Sequence, residues 1–299
     1  MEKEKEKTQS RWHRLGDWLL DYQLLIFGIV LGAAIAVPLT VGLMLKREPA
    51  PAASTSPVLS ATESVQTEPQ ETTIPNPLPN PLGVEDFAYD GDYLTCISAP
   101  CQMGIDVSTY QRNVDWQQVK DAGVEFVMIR AAYRGYSGGN VLVDEMLQSH
   151  YRGAKSVGLK VGFYFFSQAV SPAEARAEAE FLLAVIDGFE VDMPLVFDWE
   201  YISNSARTAG MNRRNLTNCA RAFCTRIQEA GYEPMIYLNF KQVRMDVYFE
   251  ELTEYKFWLA MYDDEMTFEY KIDMWQYTPT GKIPGINGDV DINLYFPSE

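Results

Sequence analysis

Residues 195–200 read Leu195-Val196-Phe197-Asp198-Trp199-Glu200, an apolar run that closes on two carboxylates. A run apolar on both faces is what a strand carries inside a parallel sheet, where helices cover both sides. Residues i and i+2 of a strand point the same way. Asp198 and Glu200 therefore share one face, with Cα atoms about 6.5–7 Å apart. Outward from this stretch, similar short runs recur at Met103–Val107, Phe126–Ala131, Lys160–Phe166, Pro234–Leu238, Phe257–Met261, Met274–Tyr277 and Val290–Asn293, which makes eight strands. Helical patterns at Asp115–Ala122, Asp144–Val157, Pro172–Ile186 and Leu216–Ala230 separate the early strands, and shorter irregular connections separate the late ones. Ser171-Pro172 with Glu174 supplies an N-cap, an N1 proline and an acid in the first turn. This alternation predicts an α/β fold, a closed (β/α) barrel of eight strands whose late strands are poor in helices.

Such barrels place their reactive groups at the C-terminal ends of the strands. Asp106 ends the first run, Asp198 and Glu200 end the fourth, and Asp291 marks the eighth. Closure makes strands one and eight neighbours, so four carboxylates are expected around one pocket. Crowded carboxylates raise one another's pKa, and a carboxylic acid that stays protonated near neutral pH can donate a proton. Tyr164, Trp199, Tyr237, Trp258, Tyr262, Trp275 and Tyr277 follow the same rims. Acids with aromatics at a barrel mouth suit a carbohydrate, because sugar rings stack on aromatic faces and carboxyl pairs break glycosidic bonds. Other readings exist for each residue alone. An Asp at a strand end also serves as a helix cap or turn former, four acids also suit a cation, and a strand Trp or Tyr is more often core.

The chain has 299 residues with 25 Lys+Arg against 41 Asp+Glu, a net charge of −16. That balance argues against a nucleic-acid binder, which needs a basic footprint. Aromatics at 13% argue against disorder. Four Cys and two His leave little material for a zinc cluster.

The chain divides sharply along its length. Residues 1–23 are polar. Leu24–Leu45 follows with no charge over 22 residues, long enough as a helix of roughly 33 Å to cross a bilayer core of about 30 Å. Five basic residues precede this run, Lys46 and Arg47 follow it, and no Lys or Arg occurs from Glu48 to Gln111. The positive-inside rule then predicts a single-pass anchor with its N-terminus in the cytoplasm. Gly28 and Gly32 form a GxxxG within the span, read first as ordinary membrane-helix composition. Residues 46–83 are rich in Pro, Ser and Thr and read as an extended linker. The barrel is expected over 84–299. Cys96 and Cys101 flank a short loop that a disulfide would close. Cys219 and Cys224 lie in a helical pattern and point about 140° apart, which favours buried thiols.

The ordered set of motifs resembles the glycoside hydrolase family 25 lysozymes, the Chalaropsis-type muramidases. Its pieces are Gly104-Ile105-Asp106-Val107-Ser108 with Tyr110-Gln111, Val114-Asp115-Trp116 with Gly123-Val124-Glu125-Phe126, Ile129-Arg130-Ala131, and Gly162-Phe163-Tyr164-Phe165-Phe166. Asp198-Trp199-Glu200, Ile236-Tyr237-Leu238-Asn239, Trp258-Leu259-Ala260, Trp275-Gln276-Tyr277 and Val290-Asp291-Ile292-Asn293 complete it. The resemblance covers about Gly104 to Phe296. Phe165 stands where that family often carries a His. The resemblance implies a flattened, irregular (β/α) barrel that cleaves the β-1,4 bond between N-acetylmuramic acid and N-acetylglucosamine in peptidoglycan. It implies Glu200 as the general acid, with Asp198 either stabilising an oxazolinium-like intermediate, attacking directly, or acting as base for water. Asp106 and Asp291 would position the sugar or tune the acid, and Tyr164, Tyr237, Trp258 and Trp275 would line the glycan groove. No metal or cofactor is required. The expected partners are glycan strands and, through the anchor, a bacterial cell membrane.

Overall fold

The computed structural model describes residues 77–297. The apolar span Leu24–Leu45 and most of the linker lie outside the described residues. Among the described residues no helix is long and apolar enough to cross a membrane.

A hairpin comes first, β1 (Phe87–Asp90) and β2 (Tyr93–Cys96), turning through Gly91 at φ +62°. The barrel strands follow: β3 (Gln102–Val107), β4 (Phe126–Arg134), β6 (Lys160–Ser167), β7 (Leu195–Trp199), β8 (Pro234–Asn239), β9 (Lys256–Ala260), β10 (Met274–Gly281) and β11 (Val290–Tyr295). The short β5 (Val141–Val143) pairs antiparallel with β4 outside the ring. Pairing of β3 with β4 on one side and β11 on the other closes eight strands into a barrel.

The eight runs expected from sequence are these eight strands, and seven of them, β3, β4, β6, β7, β8, β9 and β10, run parallel to one another. The eighth does not. β11 runs antiparallel to both β10 and β3. The reason lies in the connection. Only a short turn through Gly285 and Gly288, both at positive φ, joins β10 to β11, and a return to a parallel start needs a crossover of a dozen residues or more.

The four expected helices are α1 (Trp116–Asp121), α2 (Leu147–Ser156), α3 (Pro172–Val185) and α4 (Arg213–Glu229). Ser171 Oγ accepts from the Glu174 N–H at the start of α3, and Asn212 and Asp115 cap α4 and α1 in the same way. A fifth helix, α5 (Phe240–Met245), sits in what read as an irregular connection, closed by a capping box between Asn239 and Gln242. No helix follows β9 or β10.

Two cores result. The outer one packs the helices, Phe223 of α4 among their residues, on the outward strand residues Ile105, Val127, Phe163, Phe197 and Leu259. The inner one fills the barrel with Phe126, Met128, Tyr164, Met193, Val196, Tyr237, Trp258, Met274 and Tyr295. Gly104 and Gly162 make room for the inner one. A Cβ on Gly104 would lie 2.3 Å from the Phe126 ring, and one on Gly162 would lie 2.7 Å from Met128.

The barrel's outer edge begins earlier than composition suggested. Asn80 N–H donates to Glu269 O at 2.9 Å, Asn80 Nδ2 to Phe268 O at 3.1 Å, and Lys271 N–H to Leu78 O at 2.8 Å. The last linker residues therefore lie on the barrel. All four cysteines are free thiols. Cys219 and Cys224 are fully buried in α4, whereas the Cys96 N–H donates to Cys101 Sγ at 3.1 Å without a covalent bond.

Candidate active site

The alternation of β3, β7 and β11 turns Asp106, Asp198 and Asp291 inward at one end of the barrel, and Glu200 follows one residue beyond β7. Asp291 stands directly opposite Asp106 in the antiparallel ladder. This is where the reversal of β11 matters. Asp291 is the second residue of its strand, and only an antiparallel strand brings its N-terminal end to the rim where the parallel strands finish.

Electrostatics follow from this crowding. Burial, and then the Asp106 charge, push Glu200 up to about 7. Burial pushes Asp106 up to about 6, against two stabilising hydrogen bonds. Asp198 is raised well above the usual carboxylate range by burial, then by Glu200 and Asp106, and Asp291 likewise by burial, Asp106 and Glu200. Four acids that cannot all ionise together share protons, and their titration belongs to the set. Asp198 Oδ1 is buried with no hydrogen-bond partner among the described residues. Among those residues no group of three or more His, Cys, Asp or Glu is disposed to hold a metal ion.

A hydrogen-bonded chain holds the cluster. Tyr237 and Tyr262 both donate to Gln276 Oε1, at 2.9 and 3.0 Å. Gln276 Nε2 and Asn293 Nδ2 each donate to Asp106 Oδ2 at 2.9 Å. Trp258 Nε1 donates to Asn293 Oδ1 at 2.8 Å, which fixes the Asn293 amide so that its NH₂ faces Asp106. Arg130 is a cation that acts on Asp198, and its Nε donates to buried Asp144 at 2.8 Å.

The profile of Glycosyl hydrolases family 25 matches residues 105–286. The chain belongs to that family. The autolytic lysozyme of Clostridium acetobutylicum is 28% identical over 195 residues, 64% of this chain but only 55% of the Clostridium protein. Lysozyme M1 of Streptomyces globisporus is 25% identical, over 64% of this chain and 67% of its own length. Among solved structures, the lysozyme from Streptomyces coelicolor aligns with a TM-score of 0.54 at 25% identity, covering 66% of this chain and 93% of that one. A family 25 glycosyl hydrolase from Bacillus anthracis shares the fold, with a TM-score of 0.54 at 22% identity over 66% and 90% of the two chains.

Within this family 25 barrel the four acids expected from sequence come together, but the aromatics divide. Tyr164 and Tyr237 face the barrel interior beside the acids and are largely buried. Trp258 is 2% exposed and lies beneath them, its ring 5.0 Å from Tyr237 and 6.2 Å from Tyr164, both edge-on. It supports the cluster from below and presents no face to a ligand. Trp275 is corrected outright. It is fully buried in the outer core, edge-on to Phe87 of the hairpin at 5.1 Å, with Nε1 donating to Met261 O. Its inward neighbour Gln276 is the site residue. Phe165 also belongs to the outer core.

The exposed rings are others. Tyr110, Tyr136, Tyr201, Phe240 and Tyr262 lie just beyond the C-terminal ends of β3, β4, β7, β8 and β9. Of these, the sequence pattern places Tyr262 on the aromatic rim. It assigns no site role to the other four rings, nor to Arg130, Gln276 and Asn293. Their signal was there, since each is the polar member of an inward-facing series, Phe126-Met128-Arg130 for the first.

Proposed function

We propose that this protein is a peptidoglycan hydrolase, an N-acetylmuramidase that cleaves the β-1,4 bond between N-acetylmuramic acid and N-acetylglucosamine. The observation that carries this reading is the convergence of Glu200 with Asp198, Asp106 and Asp291 at one barrel end. Membership of family 25 and the names of the lysozymes above support it. Glu200, with its carboxyl raised to about 7, keeps a substantial protonated fraction at neutral pH and is the general acid for the leaving glycosidic oxygen.

Asp198 stands two residues back on the same face, its Oδ1 without a hydrogen-bond partner among the described residues. In this reading that oxygen receives the N–H of the muramic acid acetamide as its carbonyl oxygen closes on the anomeric carbon, the substrate-assisted route. Asp106, held by Gln276 and Asn293, keeps negative charge beside Glu200 and so keeps it protonated. The exposed rings Tyr110, Tyr201 and Tyr262 offer stacking faces for the glycan. The Leu24–Leu45 run, with the Lys/Arg asymmetry around it, is the basis for proposing a single-pass anchor that holds the barrel outside a bacterial cytoplasmic membrane.

A gel renatured over purified cell wall tests the activity. Wild type is expected to leave a clearing zone whose soluble products carry muramic acid at the reducing end. Glu200→Gln is expected to lose about 10²–10⁴-fold. Equal clearing by the variant would remove Glu200 from the mechanism. No clearing by a folded wild type would leave a glycan-binding or scaffold module on the same barrel.

A further inference from the structure

We propose that Gln168, seconded by Gln242, is a positioning residue that aims the Glu200 carboxyl by gripping the backbone from which it leaves the barrel. The proposal rests on the reading of Glu200 as the acid.

Glu200 lies one residue past β7, beyond the last paired residue on either side, Trp199 opposite Ser167 and Asp198 opposite Tyr237. The sheet therefore does not hold it. No side-chain hydrogen bond to its carboxylate occurs among the described residues, so its direction is inherited from the main chain and from packing. That main chain is held by two buried amides. Gln168, fully buried just beyond β6, donates from Nε2 to Glu200 O at 2.8 Å and to Ser167 O at 2.9 Å. Its Oε1 accepts from the hydroxyl of Thr208, also buried, at 3.0 Å, which settles which way the amide faces.

The main chain of Gln168 is tied down in turn. Its carbonyl accepts from Arg207 Nη1 at 2.6 Å, and Arg207 makes two further bonds to Glu174 at the start of α3. On the other side Gln242, 1% exposed in α5, donates to Trp199 O at 2.6 Å and accepts from the Asn239 N–H at 2.8 Å. Two consecutive carbonyls at the strand exit are thus held from opposite neighbours, β6 and α5. Buried amides with every group paired rigidify what they touch. A displacement of about 1 Å at a reacting group costs up to about 10²-fold in rate.

The test compares pH–rate profiles of the full-length protein on soluble peptidoglycan fragments for wild type, Gln168→Met, Gln242→Met and Thr208→Val. Methionine keeps the volume and removes the donor. The expected result for Gln168→Met is a kcat lower by roughly 10–100-fold with little change in KM. Its basic limb should move to lower pH, because a loosened Glu200 reaches water and gives up its proton more readily. Gln242→Met and Thr208→Val are expected to shift in the same direction by less.

A structural role alone would lower the melting temperature and leave kcat and the limb in place, and that result overturns the proposal. Should Gln168→Met fail to fold, an unmoved limb in folded Thr208→Val overturns it equally. Glu200→Gln, run alongside, separates the two failures. If that variant is active, the reading of Glu200 falls. If it is inactive while the limb of Gln168→Met stays put, the positioning proposal alone falls.

Discussion

Glu200 and Asp106 show how one buried negative charge sets the protonation of another. Burial raises both, and Asp106 is the charge that lifts Glu200 further, to about 7. Removing that charge favours the ionised form of Glu200. In Asp106→Asn the basic limb of kcat/KM is therefore expected at lower pH than in wild type, by on the order of one unit for each 1.4 kcal/mol of lost repulsion. The Asn side chain still offers an oxygen to Gln276 and Asn293, so the cluster's hydrogen bonds need not collapse with the charge. Titration of initial rates on soluble substrate measures the limb even where the absolute rate has dropped. A limb that stays at the wild-type position, or moves to higher pH, would show that Asp106 does not govern the acid. At this scale the four carboxylates were legible because a strand repeats every two residues. The polar groups that orient them were not, because a Gln or Asn in a strand carries no sign of what it faces until the opposite strand is placed.

At the level of the elements, close approach inside the barrel replaces side-chain volume at β3 and β6. Gly104 lies under the ring of Phe126, and a methyl group there would sit 2.3–2.4 Å from three of its carbons. Gly104→Ala is expected to destabilise the fold by about 1–3 kcal/mol, because the ring can yield only by displacing the inner core around it. Thermal or urea unfolding measures this, and an unchanged midpoint would mean that the inner core has slack at its base. The helices with caps were readable, since Ser171, Pro172 and Glu174 announce their function locally. α5 was not, being six residues long and held by a box between Asn239 and Gln242. β11 was located by its apolar pattern, but its direction depends on the length of the turn before it and on which partners remain unpaired.

For the whole molecule, charge and the apolar run bear on where the barrel stands relative to a membrane. Residues 1–47 carry seven basic and five acidic side chains, leaving a net charge of −18 on the remainder. The remainder is thus not drawn to anionic wall polymers by charge, and tethering would supply the local concentration instead. If Leu24–Leu45 anchors the chain with its N-terminus inside, protease added to intact cells stripped of wall should release a fragment carrying residues 77–297. A barrel protected until the membrane is broken would overturn that topology.

The fold class, the eight strands, the acids and the family were all present in the linear pattern, because periodicity, caps and spacing are local properties that a chain displays before it folds. Which aromatics face a ligand was not. Trp258 and Trp275 carry the same composition signal as Tyr262, yet one supports the cluster from within the barrel, one fills the outer core beneath a hairpin, and Tyr262 lies exposed at the rim. That division depends on which face of each strand meets a covering element, and on Phe87 arriving from far back in the chain to bury Trp275. The same holds for Asp291, whose place opposite Asp106 required β11 to run backwards, and for the grip of Gln168 on Glu200, which joins the exits of β6 and β7 through a buried side chain that no local pattern announces.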